Sequence, residues 1–255
     1  MAGSARLPIL PALAVMLALT VPSASAADGA VAARSAAIPS SIVIGFVGGF
    51  VRHDNPHHGP VQYAERIQGT VPNDTYVRVF ENRHRKAAYE TILRLLDRNH
   101  DNILSDEEKA QARIILFGHS WGASAAVLLA RELNRAGIPV LLTVQVDSVA
   151  KLWQNDRTIP ENVAAAVNFY QPHGFVHGQS EIVAVDSSRT QILGNYRFDY
   201  KNTPFLCQGV SWYNRVFMRE HAQCECDPHV WAQVEDLVRQ RLHLQPSAVA
   251  AIPEP

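Results

Sequence analysis

The sequence predicts a single α/β domain built on a mostly parallel central sheet. Two observations carry this. Apolar, β-branched runs alternate along the chain with segments whose apolar residues recur at helical spacing. Several of those runs are apolar at nearly every position, as strands covered on both faces must be. Composition agrees. Of 255 residues, 47% are hydrophobic and 18% charged, a balance that supports a packed core and argues against disorder.

Residues 41–50 (SIVIGFVGGF) begin as a buried strand and end in glycines that suit a tight turn. A short helix is expected over 61–68 and an alternating strand over 75–80 (TYVRVF). Residues 85–96 carry Ala88, Ile92, Leu95 and Leu96 at helical spacing. Residues 113–117 (RIILF) are a second continuously apolar strand. The next helix, 123–136, sets Ala125, Leu128, Leu129 and Leu133 on one face. Strands follow over 139–146 (PVLLTVQV) and 164–170. Residues 182–185 and 192–198 form either a hairpin or an added sheet edge. A terminal helix is expected over 229–244, so the domain spans 41–245.

The termini stand apart from this pattern. Residues 1–26 have the form of a secretory signal peptide: Arg6 near the start, a mostly apolar run over 7–21, and Ala24-Ser25-Ala26 as the cleavage site. The run is too short for a membrane-spanning helix. Export to the periplasm or the exterior is therefore expected, in a compartment that permits disulfides. Residues 27–40 are an Ala/Ser-rich flexible leader and 246–255 a flexible, proline-bearing tail. With 23 basic against 24 acidic residues, the net charge of −1 offers no one-sign field for a nucleic acid or an anionic lipid surface.

Gly118-His119-Ser120-Trp121-Gly122 matches G-x-S-x-G. An apolar strand enters the motif directly and a helix rich in small residues leaves it directly. Such a strand-to-helix turn holds a serine hydroxyl above the end of a sheet, while the glycines admit neighbouring backbone. The helix N-terminus brings backbone N–H groups and a positive dipole end to the same place. Here the sequence resembles the serine hydrolases of the α/β-hydrolase fold, and among them the small secreted lipases and esterases. The resemblance implies a three-layer sandwich and acyl transfer with no cofactor for the chemistry. By family pattern it makes Ser120 the nucleophile and the Trp121 N–H one oxyanion donor. The second donor comes in that family from the loop after an earlier strand, which here makes it the N–H of Gly49 or Phe50. The His-Gly pair frequent at that turn is absent.

The family order places an acid and then a histidine after the serine. Asp147, at the end of the strand after the elbow helix, is the first choice for the acid, although in the family the acid more often follows the next strand. That next strand yields Gln171 and His173 instead. Asp156 and Asp186 are the alternatives. His221, which precedes a loop (AQCECDP) and then the last helix, is the first choice for the base, with His229 as the rival and His173 and His177 as lesser options.

Residues 97–108 (DRNHDNILSDEE) fit the twelve-residue calcium loop of an EF-hand. Side-chain oxygens fall at positions one, three and five (Asp97, Asn99, Asp101). The backbone of Ile103 and the side chains of Ser105 and Glu108 complete the ligand set. Asn102 replaces the usual glycine and tolerates the left-handed conformation needed there. Ser105 and Glu108 equally form a capping box with no metal. A calcium ion here would be structural, fixing the helix that leads to the Ser120 strand. Among smaller signals, Cys207 can pair with Cys224 or Cys226. His53, His57 and His58 fall in a polar, solvated loop. Trp121, Trp212, Tyr213 and Phe217 could line an apolar acyl pocket. The resulting expectation is an exported serine hydrolase acting on a small-molecule or lipid ester or thioester. Its rivals are an acyltransferase or amidase with the same residues, and a non-catalytic or calcium-binding module on the same fold.

Overall fold

Six of the apolar runs become strands of one sheet. The computed structural model describes residues 39–205 and 207–242. The expected signal peptide, all but the end of the leader, and the tail lie outside them. In chain order the elements are β1 Ser41–Val47, α1 Gly59–Gln68, β2 Thr75–Glu81, a 3-10 turn Asn82–His84, α2 Arg85–Leu96, α3 Asp106–Ala110, β3 Ile114–His119, α4 Trp121–Arg135, β4 Leu142–Val146, β5 Thr158–Ile159, β6 Ala165–Tyr170, β7 Val183–Ala184, β8 Gln191–Arg197, α5 Trp212–Phe217, α6 Arg219–Cys226 and α7 Pro228–Arg241. The sheet runs β2-β1-β3-β4-β6-β8 and every pairing is parallel. β5 and β7 pair separately.

The two faces of the sheet follow from the period-two alternation of a strand. Val43 and Val47 of β1, Ile115 and Phe117 of β3, and Val144 and Val146 of β4 face one side, against Val61, Tyr63 and Ile67 of α1 and Val230, Trp231 and Val234 of α7. Ile42, Ile44 and Phe46, with Ile114 and Leu116, face the other, against Ala88 and Ile92 of α2 and Ala126, Leu129 and Leu133 of α4. The result is three layers, helix on sheet on helix. Each fully buried Ile, Leu or Phe contributes about 1.5–3 kcal/mol to holding them together.

This order also positions the site. From β1 the chain crosses through α1 on one face to β2, then returns through α2 on the other face to β3, on the far side of β1. The direction of winding reverses between β1 and β3, and in open α/β sheets the crevice beyond the strand ends at such a reversal is where ligands bind. The first turn of α4 is pressed into this place. A Cβ at Gly122 would lie 2.3 Å from the Phe46 carbonyl oxygen, and one at Gly118 would lie 2.5 Å from the Gly122 backbone.

Of the two arrangements open for residues 182–185 and 192–198, the added sheet edge is the one formed. β8 lies parallel to β6 as the sheet edge, reached by a long connection, while Val183–Ala184 pairs with β5. The segment around His221 is no loop but the helix α6. It carries no apolar period because its buried residues include His221, Gln223 and Glu225, held by hydrogen bonds. A pattern search sees only buried hydrocarbon. Asp227 ends α6 in an extended conformation before Pro228, and its side chain accepts the N–H of His229 to start α7.

Candidate functional site

Ser120 sits where β3 becomes α4, with φ 56° and ψ −128°. A non-glycine residue in that region is strained, and such strain persists only where surrounding contacts enforce it. Here they do. The Ser120 N–H donates to the Val146 carbonyl at the end of β4 (3.0 Å), and its carbonyl accepts the N–H groups of Ala123 (3.0 Å) and Val149 (3.3 Å). The hydroxyl makes no capping bond to its own helix, so it remains free for other chemistry. Gly48, just past β1, passes over it: a Cβ there would lie 2.8 Å from Ser120 Cβ. Among the described residues the N–H groups of Gly49, Phe50 and Trp121 donate to no backbone acceptor.

Asp147 ends β4, fully buried, at φ 43°. Its carboxylate receives four donors. Oδ1 accepts the N–H groups of Gly178 (2.6 Å) and Gln171 (3.2 Å). Oδ2 accepts Gln171 Nε2 (2.9 Å) and His221 Nδ1 (2.7 Å). Burial opposes ionisation, but the hydrogen bonds from His221 and Gln171 hold the Asp147 pKa below its ordinary value. Gln171 stands at the end of β6, the position the family pattern more often gives to the acid. Gly178 must lack a side chain, since a Cβ there would lie 2.6 Å from Asp147 Oδ1. With Nδ1 donating to Asp147, His221 presents an unprotonated Nε2.

Behind His221 lies a second buried pair that the sequence did not reveal. The rings of His119 and His221 are 4.5 Å apart between centroids. His119 Nδ1 lies 3.4 Å from Glu225 Oε1, which also meets His58 Nδ1 at 2.9 Å. Burial works against a charged His119, yet the Glu225 carboxylate outweighs it and holds the pKa above its ordinary value. For Glu225 burial again opposes ionisation, and the two histidines overcome it, leaving its pKa well below the usual carboxylate range. Burial, and then the charge of His119, push the His221 pKa down against its bond to Asp147. His58 is therefore a partly buried partner of Glu225 rather than part of a solvated loop, whereas His53 and His57 are exposed as expected.

Asn82 is the other residue missed. It follows β2, buried, and its Nδ2 donates to the carbonyls of Gly49 (2.6 Å) and Val47 (3.3 Å) while its Oδ1 accepts Lys151 Nζ (2.7 Å). It thereby pins the loop that carries the Gly49 and Phe50 N–H groups. Lys151 in turn lies over the Trp121 ring at 4.7 Å, and the Phe50 ring meets that indole edge-on at 5.6 Å.

The remaining alternatives have other partners than His221 and Asp147. Asp156 is buried on Ser148 Oγ (2.5 Å) and Gln179. Asp186 caps a turn at Ser188. His229 is exposed at the start of α7, His173 pairs with Asp199, and His177 bonds the Gly178 carbonyl. Cys207 pairs with Cys226, tying the segment before α5 to the end of the His221 helix, and Cys224 stays free and buried. Trp212, Tyr213 and Phe217 are all exposed. α5 buries none of its residues, and its aromatic rings pack on one another in solvent. Phe50, Leu152, Trp153 and Phe175 are exposed as well, on loops that hold the site.

In the 97–108 loop the capping box is formed: Ser105 Oγ accepts the Glu108 N–H, and the Glu108 carboxylate accepts the Ser105 N–H. Asn102 has φ 65°, the left-handed conformation expected of it. Among the described residues no three His, Cys, Asp or Glu side chains already stand grouped around a common point. No described helix is long and apolar enough to cross a membrane.

No protein-family model matches the chain, and no curated protein matches it. Two solved structures show what it is similar to in backbone course. One is RedJ with a PEG molecule bound in its active site, 13% identical, covering 74% of this chain and 90% of its own at a TM-score of 0.37. The other is a cutinase-like protein from Cryptococcus sp., 13% identical, covering 82% and 98% at a TM-score of 0.40.

Proposed function

We propose that the protein is an exported serine hydrolase that cleaves a carboxylic ester or thioester through an acyl-enzyme on Ser120. The observation that carries this reading is the strained backbone of Ser120 at the strand-to-helix junction, beside a buried His221–Asp147 pair at 2.7 Å. In this mechanism His221 Nε2 takes the Ser120 proton as Oγ attacks the acyl carbon. Asp147 holds the imidazole in the required tautomer and stabilises the imidazolium. The oxyanion is received by the N–H of Trp121 and by that of Gly49 or Phe50, donors free among the described backbone bonds. His221 then returns the proton to the leaving group, and water repeats the sequence to release the acid. The exposed aromatic and aliphatic side chains on the surrounding loops support an apolar acyl group in the substrate. The Cys207–Cys226 disulfide supports an oxidising compartment.

Stopped-flow hydrolysis of p-nitrophenyl esters of increasing acyl length tests the reading. A burst of nitrophenol equal to the enzyme concentration is expected, absent in Ser120→Ala. A linear time course unaffected by Ser120→Ala would refute the acyl-enzyme.

Burial of His221, and after it the neighbouring charge of His119, shape the pH dependence. Because the His221 pKa is lowered, its base-competent neutral form persists below pH ~6.5, so the acid limb of kcat/KM falls below that value. His119→Gln removes the neighbouring positive charge and is expected to move that limb to higher pH. A limb that stays in place or moves down would show that the His119 charge does not reach His221.

A further inference from the structure

We propose that the loop from Asp97 to Glu108 is a calcium site, built to lock the approach to the Ser120 strand and not to touch substrate. Its ligand pattern was visible in the sequence, but a run of acidic residues is no site by itself. The structure adds an independent observation. Asp97 is 8% exposed, and its Oδ1 is buried with no hydrogen-bond partner. Its Oδ2 accepts the N–H of Asn102, five residues on, at 2.9 Å. That bond turns the carboxylate into the loop, so the orphaned Oδ1 is held inside it. A buried carboxylate oxygen without a donor is a cost that native structures avoid, and a cation removes it.

The far end of the loop turns to the same side. Glu108 Oε1 accepts the N–H of Arg98, the residue next to Asp97, at 2.8 Å. The first and twelfth positions of the pattern therefore face one another across the loop. Glu108 Oε2 accepts the Ser105 N–H at 2.9 Å and the Ser105 hydroxyl at 2.8 Å. Oε1, with a single donor, keeps a lone pair for a metal. Asn99 and Asp101 lie between, joined by a 2.9 Å bond and each accepting a backbone N–H of the loop. Both are exposed. These oxygens, with the Ile103 carbonyl and Ser105, make an all-oxygen set of low rigidity, the chemistry that suits calcium rather than zinc or copper.

Calcium here would join the end of α2 to the start of α3, and α3 leads directly into β3 and Ser120. One half of the capping box, Ser105 Oγ accepting the Glu108 N–H, does not involve the carboxylate and so does not compete with a metal.

The test is calcium binding to chelator-treated protein, read by calorimetry and by Tm, neither of which depends on turnover. Saturable one-to-one binding with Kd on the order of 10⁻⁴–10⁻³ M is expected, with Tm raised by about 3–10 °C in roughly 10 mM CaCl2. Asp97→Asn should weaken binding at least about tenfold. Asp101→Asn alters only an exposed side chain outside the capping box and should weaken it several-fold, which keeps the test valid if Asp97→Asn folds poorly. Asp106→Asn, equally acidic but outside the ligand positions, should bind as the wild type does. Absence of saturable binding would overturn the proposal, as would binding that Asp101→Asn leaves unchanged or that Asp106→Asn weakens as much.

Discussion

Asp147→Asn is expected to lower kcat on an activated ester by about 10⁴-fold while the fold remains intact. The Asp147 carboxylate is surrounded by four donors and no acceptor. An asparagine must present an NH2 group to two of them. If the amide nitrogen faces Gly178 and the Gln171 backbone, two N–H groups are left buried and unpaired. If it faces Gln171 Nε2 and His221, the imidazole must turn Nδ1 into an acceptor and put its proton on Nε2. That tautomer cannot take the Ser120 proton. The second arrangement keeps the backbone bonds and is the one expected. The variant should therefore retain its far-UV circular dichroism and lose turnover. Activity within tenfold of wild type would remove Asp147 from the mechanism.

Asn82→Ala is expected to reduce kcat by about 10²–10³-fold with a smaller change in KM. Asn82 touches no reacting atom in this account. It is a positioning residue, tying the Val47 and Gly49 carbonyls so that the next N–H groups face the place where an oxyanion forms. Truncation frees a loop containing two glycines, and a displacement of about 1 Å there is enough to cost 10²-fold. It also leaves buried carbonyls unpaired, a loss of about 1–3 kcal/mol, which should lower Tm by about 2–12 °C. Kinetics measured well below the new Tm separate the two effects. A fall in Tm with unchanged kcat would mean that Asn82 serves stability alone. Asn82→Asp should not rescue turnover, because it offers an acceptor to two carbonyls.

What could be read in the chain and what could not divides along physical lines. β1, β3, β4 and β6 were legible because they are buried on both faces and therefore apolar throughout. Ser120 was legible because the elbow is local: strand, turn and helix follow one another in the chain. Asp147 and His221 were reachable only by adding the order of residues implied by resemblance. The helix around His221 was not legible, since it buries a histidine, a glutamine and a glutamate through hydrogen bonds. Neither was the union of His58, His119 and Glu225, which lie far apart in the chain and meet only because α1, β3 and α6 pack together at one end of the sheet. Asn82 left no signal at all, since an asparagine after a strand reads as an ordinary turn residue. For Gln171 the signal was present as a gap, the missing carboxylate at the end of β6. β8 was seen as a strand but not assigned its partner, because a parallel edge strand and one arm of a hairpin have the same local pattern.

The most direct test of the account is covalent labelling by a fluorophosphonate, with the adduct located by peptide mass spectrometry. An activated serine reacts and an ordinary one does not. Stoichiometric phosphonylation of Ser120 is expected, lost in Ser120→Ala and His221→Ala and retained in His229→Ala. A folded wild-type protein that stays unlabelled, or one labelled at a different serine, would contradict it.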